Sequence, residues 1–233
     1  MRSVDELEYC HERLGENFAQ ALSEYDTRRR VETLIDDFFS GESLHGKEAL
    51  DVGCGLGFFS EGLQARGAQV TACDLGPTLL EITRRRVGCE CVRADALALA
   101  ETFGPDRFDL VVSSECIEHT PDPAKAVAQM TRVLKPGGWL ALSTPNIVWS
   151  PVVKFATWAR LRPFDGYENF SSWGRLQRTL LDNDMEIVRK HGLHLIPFQL
   201  RLHRFSRWLD RHCQWLRSCM INICLLARKK PAT

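Results

Sequence analysis

The sequence has no net charge, no long apolar run and no C-x-x-C pair of cysteines. Its 30 Lys and Arg residues balance 30 Asp and Glu residues, so overall charge indicates no class of partner. No segment reaches the roughly 18 apolar residues that a membrane-spanning helix needs. The stretch "MRSVDELEYCHERLG" lacks the apolar core of a signal peptide, and the nine cysteines include no C-x-x-C pair. We therefore expect a cytoplasmic protein with reduced thiols and neither a disulfide framework nor a zinc motif.

The charges are unevenly distributed along the chain. Residues 1–153 contain 15 basic and 24 acidic side chains, whereas residues 154–233 contain 15 and 6. A basic C-terminal part can bind anions, nucleic acid or a membrane surface, or it can complement the acidic part within one fold. A length of 233 residues with 44% hydrophobic content fits one globular domain with small additions.

Short apolar segments alternate with helical patterns between residues 46 and 146. The segments that predict strands are "KEALDVGCG", "AQVTACDL", "CECVRADA", "FDLVVSSE" and "WLALSTPN". The intervening helical patterns are "FFSEGLQARG", "PTLLEITRRRV" and "DPAKAVAQMTRVLKPGG", with Pro-Gly-Gly as the end of the last helix. This alternation predicts a parallel sheet covered by helices. Farther along, "SSWGRLQRTLLDNDM" predicts a helix capped by Ser171 or Ser172, and "EIVRKHGLHLIP" and "MINICLLARKK" predict two more strands.

Glycines and acids follow the first three predicted strands. Gly53 and Gly55 lie in "LDVGCGLGFFS" behind Asp51, while Asp74 and Asp95 end the next two strands. Glycines permit a tight turn and close approach to a ligand, and a carboxylate at the second strand end can accept both ribose hydroxyls. Each acid could instead cap a helix, but three at successive strand ends converge on one nucleoside. A pyrophosphate site is disfavoured, because the spacing departs from G-x-G-x-x-G and no Walker motif is present.

A second polar cluster follows the fourth predicted strand. In "SSECIEHTPDP", residues 113–123, the side chains of Glu115, Glu118 and His119 lie within five positions. They could be acid/base groups, metal ligands or polar residues that organise the next turn. Positions 115, 118 and 119 share one face of a helical turn, so joint ligation of a metal is geometrically allowed.

These motifs together resemble those of a known family. "LDVGCGLG", "CDL", "RADA", "FDLVVSSECIEH" and "RVLKPGGWLALSTPN" occur in the order found in class I S-adenosylmethionine-dependent methyltransferases. The resemblance covers residues 46–146 and extends more loosely to residue 228. It implies an α/β, Rossmann-like, seven-stranded and mostly parallel sheet with helices on both faces and the last strand antiparallel. N-terminal helices and a helical cap would complete this fold.

The resemblance also implies an S-adenosylmethionine site. Gly53 and Gly55 would back the methionine part, Asp74 would bind the ribose, and Asp95 with Ala96 would flank the adenine. Asp51 would support the loop and the amino-acid end of the cofactor. The complete implied set of cofactor-binding residues is Asp51, Gly53, Cys54, Gly55, Asp74, Leu75, Asp95, Ala96 and Ser114.

The stretch from Glu115 to His119 is similar to the E-x-x-E-H motif of ubiquinone-biosynthesis O-methyltransferases, in the methyltransferase type 11 group. The resemblance implies that Glu115, Glu118 and His119 are catalytic and hold Mg²⁺ against a hydroxyl acceptor. Proton transfer by His119 without a metal, and a purely structural role, stay open as alternatives. Candidates for a further metal ligand are His191, His194 and His203.

The expected reaction is methyl transfer to a hydroxyl oxygen of a small hydrophobic or aromatic acceptor, either quinone-like or a secondary metabolite. The alternatives are N- or C-methylation of a soluble metabolite or sugar, RNA 2′-O-methylation, and an inactive cofactor-binding partner subunit. Nucleic acid is not the expected partner, because the basic residues are not interleaved with motifs of an RNA-binding module.

The resemblance divides the chain into N-terminal helices, residues 1–45, on the substrate side, and a methyltransferase domain, residues 46–233. Cap insertions are expected at about 147–170 and 199–218. The first insertion is rich in rings, which suits an aromatic acceptor or the core of a small cap. The charge run "EYDTRRR", with Tyr25 and Arg28 to Arg30, could gate the cofactor, bind an anionic substrate or form a solvated helix face, and a solvated face is what we expect of most charge runs.

The second insertion predicts a basic amphipathic helix. Its apolar stripe is Leu202, Phe205, Leu209, Cys213 and Leu216, with Trp208 and Trp215 beside it and five arginines elsewhere. A helix of this kind can bind an anionic membrane peripherally through residues 201–217. The same face could instead pack on its own domain or on a second copy in a homodimer.

Overall fold

The computed structural model describes residues 23–158 and 168–231. Within these residues, seven strands form one sheet in the order β3-β2-β1-β4-β5-β7-β6. The pairs among β1 to β5 are parallel, and β7 lies antiparallel between β5 and β6. The predicted fold is therefore confirmed, including the antiparallel last strand. The strands are β1 Glu48–Val52, β2 Gln69–Asp74, β3 Glu90–Arg93, β4 Phe108–Ser114, β5 Leu134–Pro145, β6 Met185–Leu193 and β7 Asn222–Lys229.

Helices connect the strands, and some of them begin at capping residues in the sequence. Ser172 is the N-cap of one helix, and its Oγ accepts a hydrogen bond from the Arg175 backbone N at 3.2 Å. Asp122 caps another helix, whose first residue is Pro123. The helices are α1 Glu24–Val31, α2 Phe58–Ala65, α3 Pro77–Val87, α4 Leu99–Phe103, α5 Pro123–Val133, α6 Ser150–Trp158, α7 Trp173–Asp182 and α8 His203–His212.

Short turns of other helix types complete the described structure. A π-helical segment, Glu32–Asp37, continues α1. The 3-10 turns are Ile117–His119, Ile147–Trp149, Phe198–Leu200 and Gln214–Cys219.

The sheet is buried on both faces, as the near-continuous apolar strands predict. One face packs with α5 and α7 and includes Leu50, Val111 and Leu140. The opposite face packs with Leu34, Phe39 and other side chains of the segment after α1. These side chains belong to the N-terminal helices that were expected over residues 1–45, so this segment forms part of the central core. The predicted helical segment before residue 23 lies outside the described residues.

The fifth strand begins earlier than the sequence pattern predicts. Residues 134–138, "LKPGG", were expected to end the preceding helix, but α5 ends at Val133 and Leu134 already pairs with Phe108 of β4. Gly138 explains why this stretch can enter the sheet. A Cβ there would lie 2.8 Å from the Lys135 backbone O and 3.1 Å from the Asp109 backbone O. Only glycine allows this approach, so Pro-Gly-Gly extends the strand here.

The apolar stripe predicted for the second insertion is not the buried face of α8. Phe205 and Trp208 are 53% and 52% exposed, whereas Ser206 and Asp210 are buried. The Asp210 carboxylate explains this orientation, because its Oδ1 accepts a hydrogen bond from the Leu195 backbone N at 3.1 Å. A polar anchor therefore sets the rotation of this helix, and its aromatic side chains face outward. No helix in the described part of the chain is long and apolar enough to cross a membrane.

The central position of β5 yields a test of the core. Leu140 is fully buried, while Leu181 near the end of α7 is 55% exposed. Leu140→Ala should lower the free energy of unfolding by about 2–5 kcal/mol, because it removes buried methyl groups and leaves a cavity. Leu181→Ala is the matched control and should change stability by less than about 0.5 kcal/mol. Urea unfolding followed by circular dichroism measures both, and equal losses would contradict this description of the core.

Candidate active site

The glycine loop between β1 and α2 has the tight turn expected for a ligand-binding loop. Gly53, Gly55 and Gly57 all have positive φ angles, +72°, +51° and +81°. A Cβ on Gly53 would lie 2.6 Å from the Cys116 Sγ, so the loop packs directly against the segment after β4. The backbone N atoms of Gly53 and Cys54 both donate to the Cys73 carbonyl O, at 2.9 and 3.0 Å. The loop is thus fixed to the end of β2.

Asp51 supports this loop from inside the protein. Its side chain is buried, and its Oδ2 accepts a hydrogen bond of 2.6 Å from the Ser60 Oγ on α2. Burial raises the pKa of the Asp51 carboxyl to about 7. Cys54 is also buried, and the Thr83 Oγ1 donates to the Gly55 carbonyl O at 3.0 Å. These contacts join the loop to the first two helices after it.

Asp74 lies at the end of β2 with its carboxylate beside the glycine loop. Its Oδ2 accepts from the Gly55 backbone N at 3.1 Å, and its Oδ1 accepts from the Gly76 backbone N at 2.9 Å. A carboxylate has about four acceptor positions, so two remain for the hydroxyls of a ribose. Leu75, which follows, is partly exposed. The arrangement fits a nucleoside bound at this edge of the sheet.

Asp95 and Ala96 follow the neighbouring strand. Asp95 is partly exposed and its Oδ1 accepts from the Leu97 backbone N at 2.8 Å, which makes a local turn, and Ala96 is buried. The Ala94 backbone N donates to the Asp74 carbonyl O at 3.2 Å. The structure therefore brings Asp74 and Asp95 to adjacent strand ends, as expected for the two ends of one nucleoside.

The backbone turns sharply where β4 ends. Glu115 has a φ of +52°, in the left-handed region that a residue with a Cβ adopts at an energetic cost. Its backbone N donates to the Ser143 carbonyl O on β5 at 3.1 Å. This turn points the Glu115 carboxyl back toward the neighbouring strand.

A chain of hydrogen bonds connects α1 to the Glu115 carboxylate. The Arg30 Nη1 donates to the Ser114 Oγ at 2.8 Å, and the two hydroxyl oxygens of Ser114 and Ser143 are 2.8 Å apart. The Ser143 Oγ then donates to the Glu115 Oε1 at 3.1 Å. Ser114, which was expected to contact the cofactor, is therefore a link between an arginine and a carboxylate.

Glu115 and Glu118 both have unusual acidity. Burial raises the pKa of Glu115 to about 7, with the charge of Glu118 adding to the effect and Arg30 opposing it. Burial raises the pKa of Glu118 to about 7 as well, although the Thr144 Oγ1 donates to its Oε2 at 3.1 Å. Two neighbouring carboxyls that titrate near neutrality are typical of a catalytic site.

His119 is the accessible member of the cluster. It ends a 3-10 turn rather than lying on an α-helix, its side chain is 28% exposed, and its Nε2 lies 4.0 Å from the Glu118 Oε1. The Glu118 carboxyl is directed to Thr144 and the Glu115 carboxyl to Ser143. The described residues contain no group of three or more His, Cys, Asp or Glu side chains arranged to hold a metal ion.

The charge run on α1 is not the solvated face that the sequence predicted. Arg28 is exposed, but Arg29 and Arg30 are only 5% and 4% exposed. The Arg30 Nη2 donates to the Asp26 Oδ2 at 2.9 Å, and the Asp26 Oδ1 lies 2.8 Å from the His194 Nε2. Asp26 and Arg30 are four residues apart on one helix, and this spacing could have predicted their ion pair from the sequence.

His194, which was a candidate metal ligand, contacts the Asp26 carboxylate through its Nε2.

The ring-rich insertion is only partly described. Phe155 and Trp158 in α6 are exposed, whereas Phe170 is buried. The Trp149 Nε1 donates to the Cys219 carbonyl O at 2.9 Å, which joins this insertion to the segment before β7. The other predicted rings, Phe164 and Tyr167, lie outside the described residues. The exposed rings do not form the core of a small cap.

Comparisons with known proteins point to the family that the sequence motifs resemble. A family model described as a methyltransferase domain matches residues 50–142. A ubiquinone biosynthesis O-methyltransferase of Chromobacterium violaceum is 37% identical over 155 residues, which are 63% of this chain and 66% of that protein. The protein of the same name from Thiobacillus denitrificans is 42% identical over 110 residues, 44% of this chain and 46% of that protein. The chain thus matches less than two thirds of the length of either relative.

Solved structures support the fold. An S-adenosylmethionine-dependent methyltransferase from Mesorhizobium loti superposes with a TM-score of 0.64 at 20% identity, covering 85% of this chain and 95% of that one. Magnesium protoporphyrin IX methyltransferase from Synechocystis PCC 6803 gives 0.64 at 16% identity, covering 88% and 84%. The motif order, the sheet topology and these similarities agree. Residues 50–142 therefore match a methyltransferase domain, and the described part of the chain has the fold of S-adenosylmethionine-dependent methyltransferases.

Proposed function

We propose that this protein transfers a methyl group from S-adenosylmethionine to a hydroxyl oxygen of an aromatic, quinone-like acceptor. The observation that carries the proposal is the pair of carboxyls of the partly buried Glu115 and the buried Glu118, which lie beside the accessible His119 at the end of β4. Oxygen methylation needs a group that removes the hydroxyl proton, and this cluster offers one. The names of the relatives described above support the acceptor class.

The bound cofactor would supply a methyl group on a positively charged sulfur that is already a good leaving group. The protein must therefore bind the cofactor, align it with the acceptor and exclude water. It need not activate the methyl donor. Gly53 and Gly55 leave room for close approach of the cofactor, and Asp74 has acceptor positions for the ribose. Asp95 and Ala96 lie where the adenine would extend, at the end of β3.

His119 is the side chain best placed to accept the acceptor's proton. When the oxygen takes the methyl group and the S–C bond of the donor breaks, the proton on that oxygen would move to a ring nitrogen of His119. The ionised Glu118, with its Oε1 4.0 Å from the His119 Nε2, stabilises the resulting imidazolium. Arg30, Ser114 and Ser143 hold the Glu115 carboxyl in place next to this pair.

The Mg²⁺ that the E-x-x-E-H motif implies does not fit the arrangement of these side chains. The carboxyls of Glu115 and Glu118 are each directed to a hydroxyl on β5, and no three-residue ligand set occurs in the described residues. The proposed mechanism consequently routes no step through a metal ion.

The proposal is tested with a long-chain catechol and its fully methylated counterpart, which lacks a free hydroxyl. With methyl-labelled cofactor, the catechol should gain one labelled methoxy group, detected by mass spectrometry, and the methylated compound should gain none. EDTA should change the rate by less than about twofold, because proton transfer to a histidine needs no metal. Labelling of a nitrogen or carbon in a soluble amine or sugar instead would overturn the proposed acceptor. Loss of activity in EDTA, restored by Mg²⁺, would overturn the metal-free mechanism.

The cofactor site is tested by Asp74→Asn. The substitution keeps one oxygen acceptor but removes the charge that strengthens hydrogen bonds to ribose hydroxyls. The dissociation constant for S-adenosylmethionine, measured by calorimetry, should rise about tenfold, which corresponds to about 1.4 kcal/mol. The exposed Asp182 on α7 provides the control, since Asp182→Asn should leave the affinity unchanged. Unaltered affinity in Asp74→Asn would show that the ribose binds elsewhere.

Glu118→Gln should lower kcat and raise stability in alkaline solution. The pKa of Glu118 is about 7 in the folded protein against an ordinary value of about 4.3, so the folded state binds its proton more tightly. Ionisation of this buried carboxyl therefore lowers the free energy of unfolding as the pH rises from about 4.3 to 7, and the loss is complete above pH 7. Removing the charge should add about 1–2 kcal/mol of stability at pH 8.5 and almost nothing at pH 4.5, as measured by urea unfolding.

The same variant should reduce kcat about 10–100-fold at pH 8, because the imidazolium of His119 loses its counter-charge. Glu186→Gln on the exposed side of β6 is the matched control and should alter neither quantity. A purely structural Glu118 predicts instead a stability loss at all pH values.

A further inference from the structure

A basic cleft lies apart from the methyl-transfer site, between the π-helical segment after α1, the outer edge of β6 and α8. Its volume is about 510 Å³. Strand β6 is the last strand of the sheet and pairs only with β7, so its other edge is open in the described structure. The lining residues are Arg29, Glu32, Asp37, Phe38, Arg189, Lys190, His191, Arg207 and Arg211.

Positive charge dominates this cleft. Five of its lining side chains are Arg or Lys, and only two are acidic. Glu32 is shared between two arginines, with its Oε2 2.7 Å from the Arg29 Nη1 and its Oε1 3.3 Å from the Arg207 Nη1. The other acid, Asp37, binds Arg189 through its backbone O rather than its carboxylate, at 2.6 Å. The Arg211 side chain, which is exposed, makes no hydrogen bond or ion pair with the described residues. The cleft is therefore lined by more cationic than anionic side chains.

Arg29 shows that the cleft is built into the fold. Its side chain is only 6% exposed, and its Nε has no hydrogen-bond partner within the described residues. The nearest further acid is Asp210, whose Oδ2 is 3.7 Å from the Arg29 Nη2, beyond hydrogen-bond distance. A buried guanidinium with an unsatisfied donor is costly unless a ligand completes its hydrogen bonds. Mobile surface arginines do not have this property.

We propose that this cleft binds the phosphate group of a ligand distinct from both the methyl donor and the acceptor. The planar guanidinium groups of arginine match the oxygens of a phosphate, and Arg29, Arg207 and Arg211 converge on one cavity. Burial lowers the pKa of His191, with the charge of Asp37 opposing this effect and the charge of Arg29 adding to it. Binding therefore depends on arginine and lysine charges. This site is independent of the proposed methyl-transfer reaction.

The phosphate can come from a soluble ester or from a phospholipid headgroup. The exposed rings of Phe205 and Trp208 stack with centroids 6.1 Å apart on α8, next to Arg207 and Arg211. Aromatic side chains beside arginines on an amphipathic helix suit the surface of an anionic membrane. A cleft of about 510 Å³ is also large enough for a small phosphate ester. The experiment below separates these two sources.

The first arm measures inorganic phosphate binding by calorimetry at pH 7.5 and by thermal unfolding against sodium chloride of equal ionic strength. Phosphate should raise the Tm of the wild-type protein, because it binds only the folded state. Arg211→Gln should weaken phosphate binding about tenfold, as expected for the loss of one charge-assisted interaction. Its Tm in chloride should stay that of the wild type, because Arg211 has no partner within the described structure.

The matched control is Arg85→Gln on α3, next to the opposite edge of the sheet, with a side chain that is 78% exposed. It removes the same charge far from the cleft and should bind phosphate as the wild type does. Equal losses in both variants, or no phosphate-specific rise in Tm of the wild type, would overturn the proposed site. A double variant, Lys190→Gln with Arg211→Gln, should bind still more weakly.

The second arm measures sedimentation with vesicles of phosphatidylglycerol or phosphatidylcholine. Binding only to phosphatidylglycerol, reduced by Arg211→Gln and by free phosphate, would identify a lipid headgroup as the source. No vesicle binding, with phosphate binding intact, would identify a soluble ester. Vesicle binding that ignores both Arg211→Gln and free phosphate, in a protein without a phosphate effect on Tm, would again exclude the site.

Discussion

The buried charge of Arg30 holds the active site together. This side chain is 4% exposed, and an unpaired guanidinium at such a position would cost several kcal/mol. Asp26 compensates it directly, and the charges of Glu115 and Glu118 stabilise it further. Arg30 also donates to Ser114 at the end of β4. Helix α1 is therefore fixed against the sheet by the same arginine that opposes the effect of burial on the pKa values of the two glutamates.

The parts of the site that could be predicted are those encoded by neighbouring residues. A strand that runs into glycines, and an acid that ends each of the next two strands, specify the cofactor edge because parallel strands end on one side of the sheet. Asp74 and Asp95 lie at adjacent strand ends for this reason. The helix caps at Ser172 and Asp122 are equally local. The sheet, and the edge at which the proposed cofactor site lies, could therefore be predicted without knowing any contact between residues distant in the sequence.

The parts that could not be predicted depend on residues far apart in the sequence. Arg30 and Ser114 are 84 positions apart, and Asp26 and His194 are 168 apart. A run of three arginines gives no sign of which ones are buried until those partners are known. The rotation of α8 likewise depends on Asp210 binding the Leu195 backbone, which outweighs the apolar stripe. "KPGG" entered β5 because the neighbouring strand offered pairing to its backbone.

The position of Arg30 also bears on the choice between a metal and a proton acceptor at Glu115 and Glu118. A divalent ion binds carboxylates only when they are ionised, and burial raises the pKa of both carboxyls to about 7, so protons would compete with a metal ion at neutral pH. Arg30 already supplies positive charge to this pair and would repel a second cation. A carboxylate with a pKa near neutrality, in contrast, can follow the protonation of an adjacent imidazole. The electrostatics of this site are therefore consistent with the proposed proton-accepting pair of His119 and Glu118, with Arg30 supplying positive charge where a metal ion would otherwise supply it.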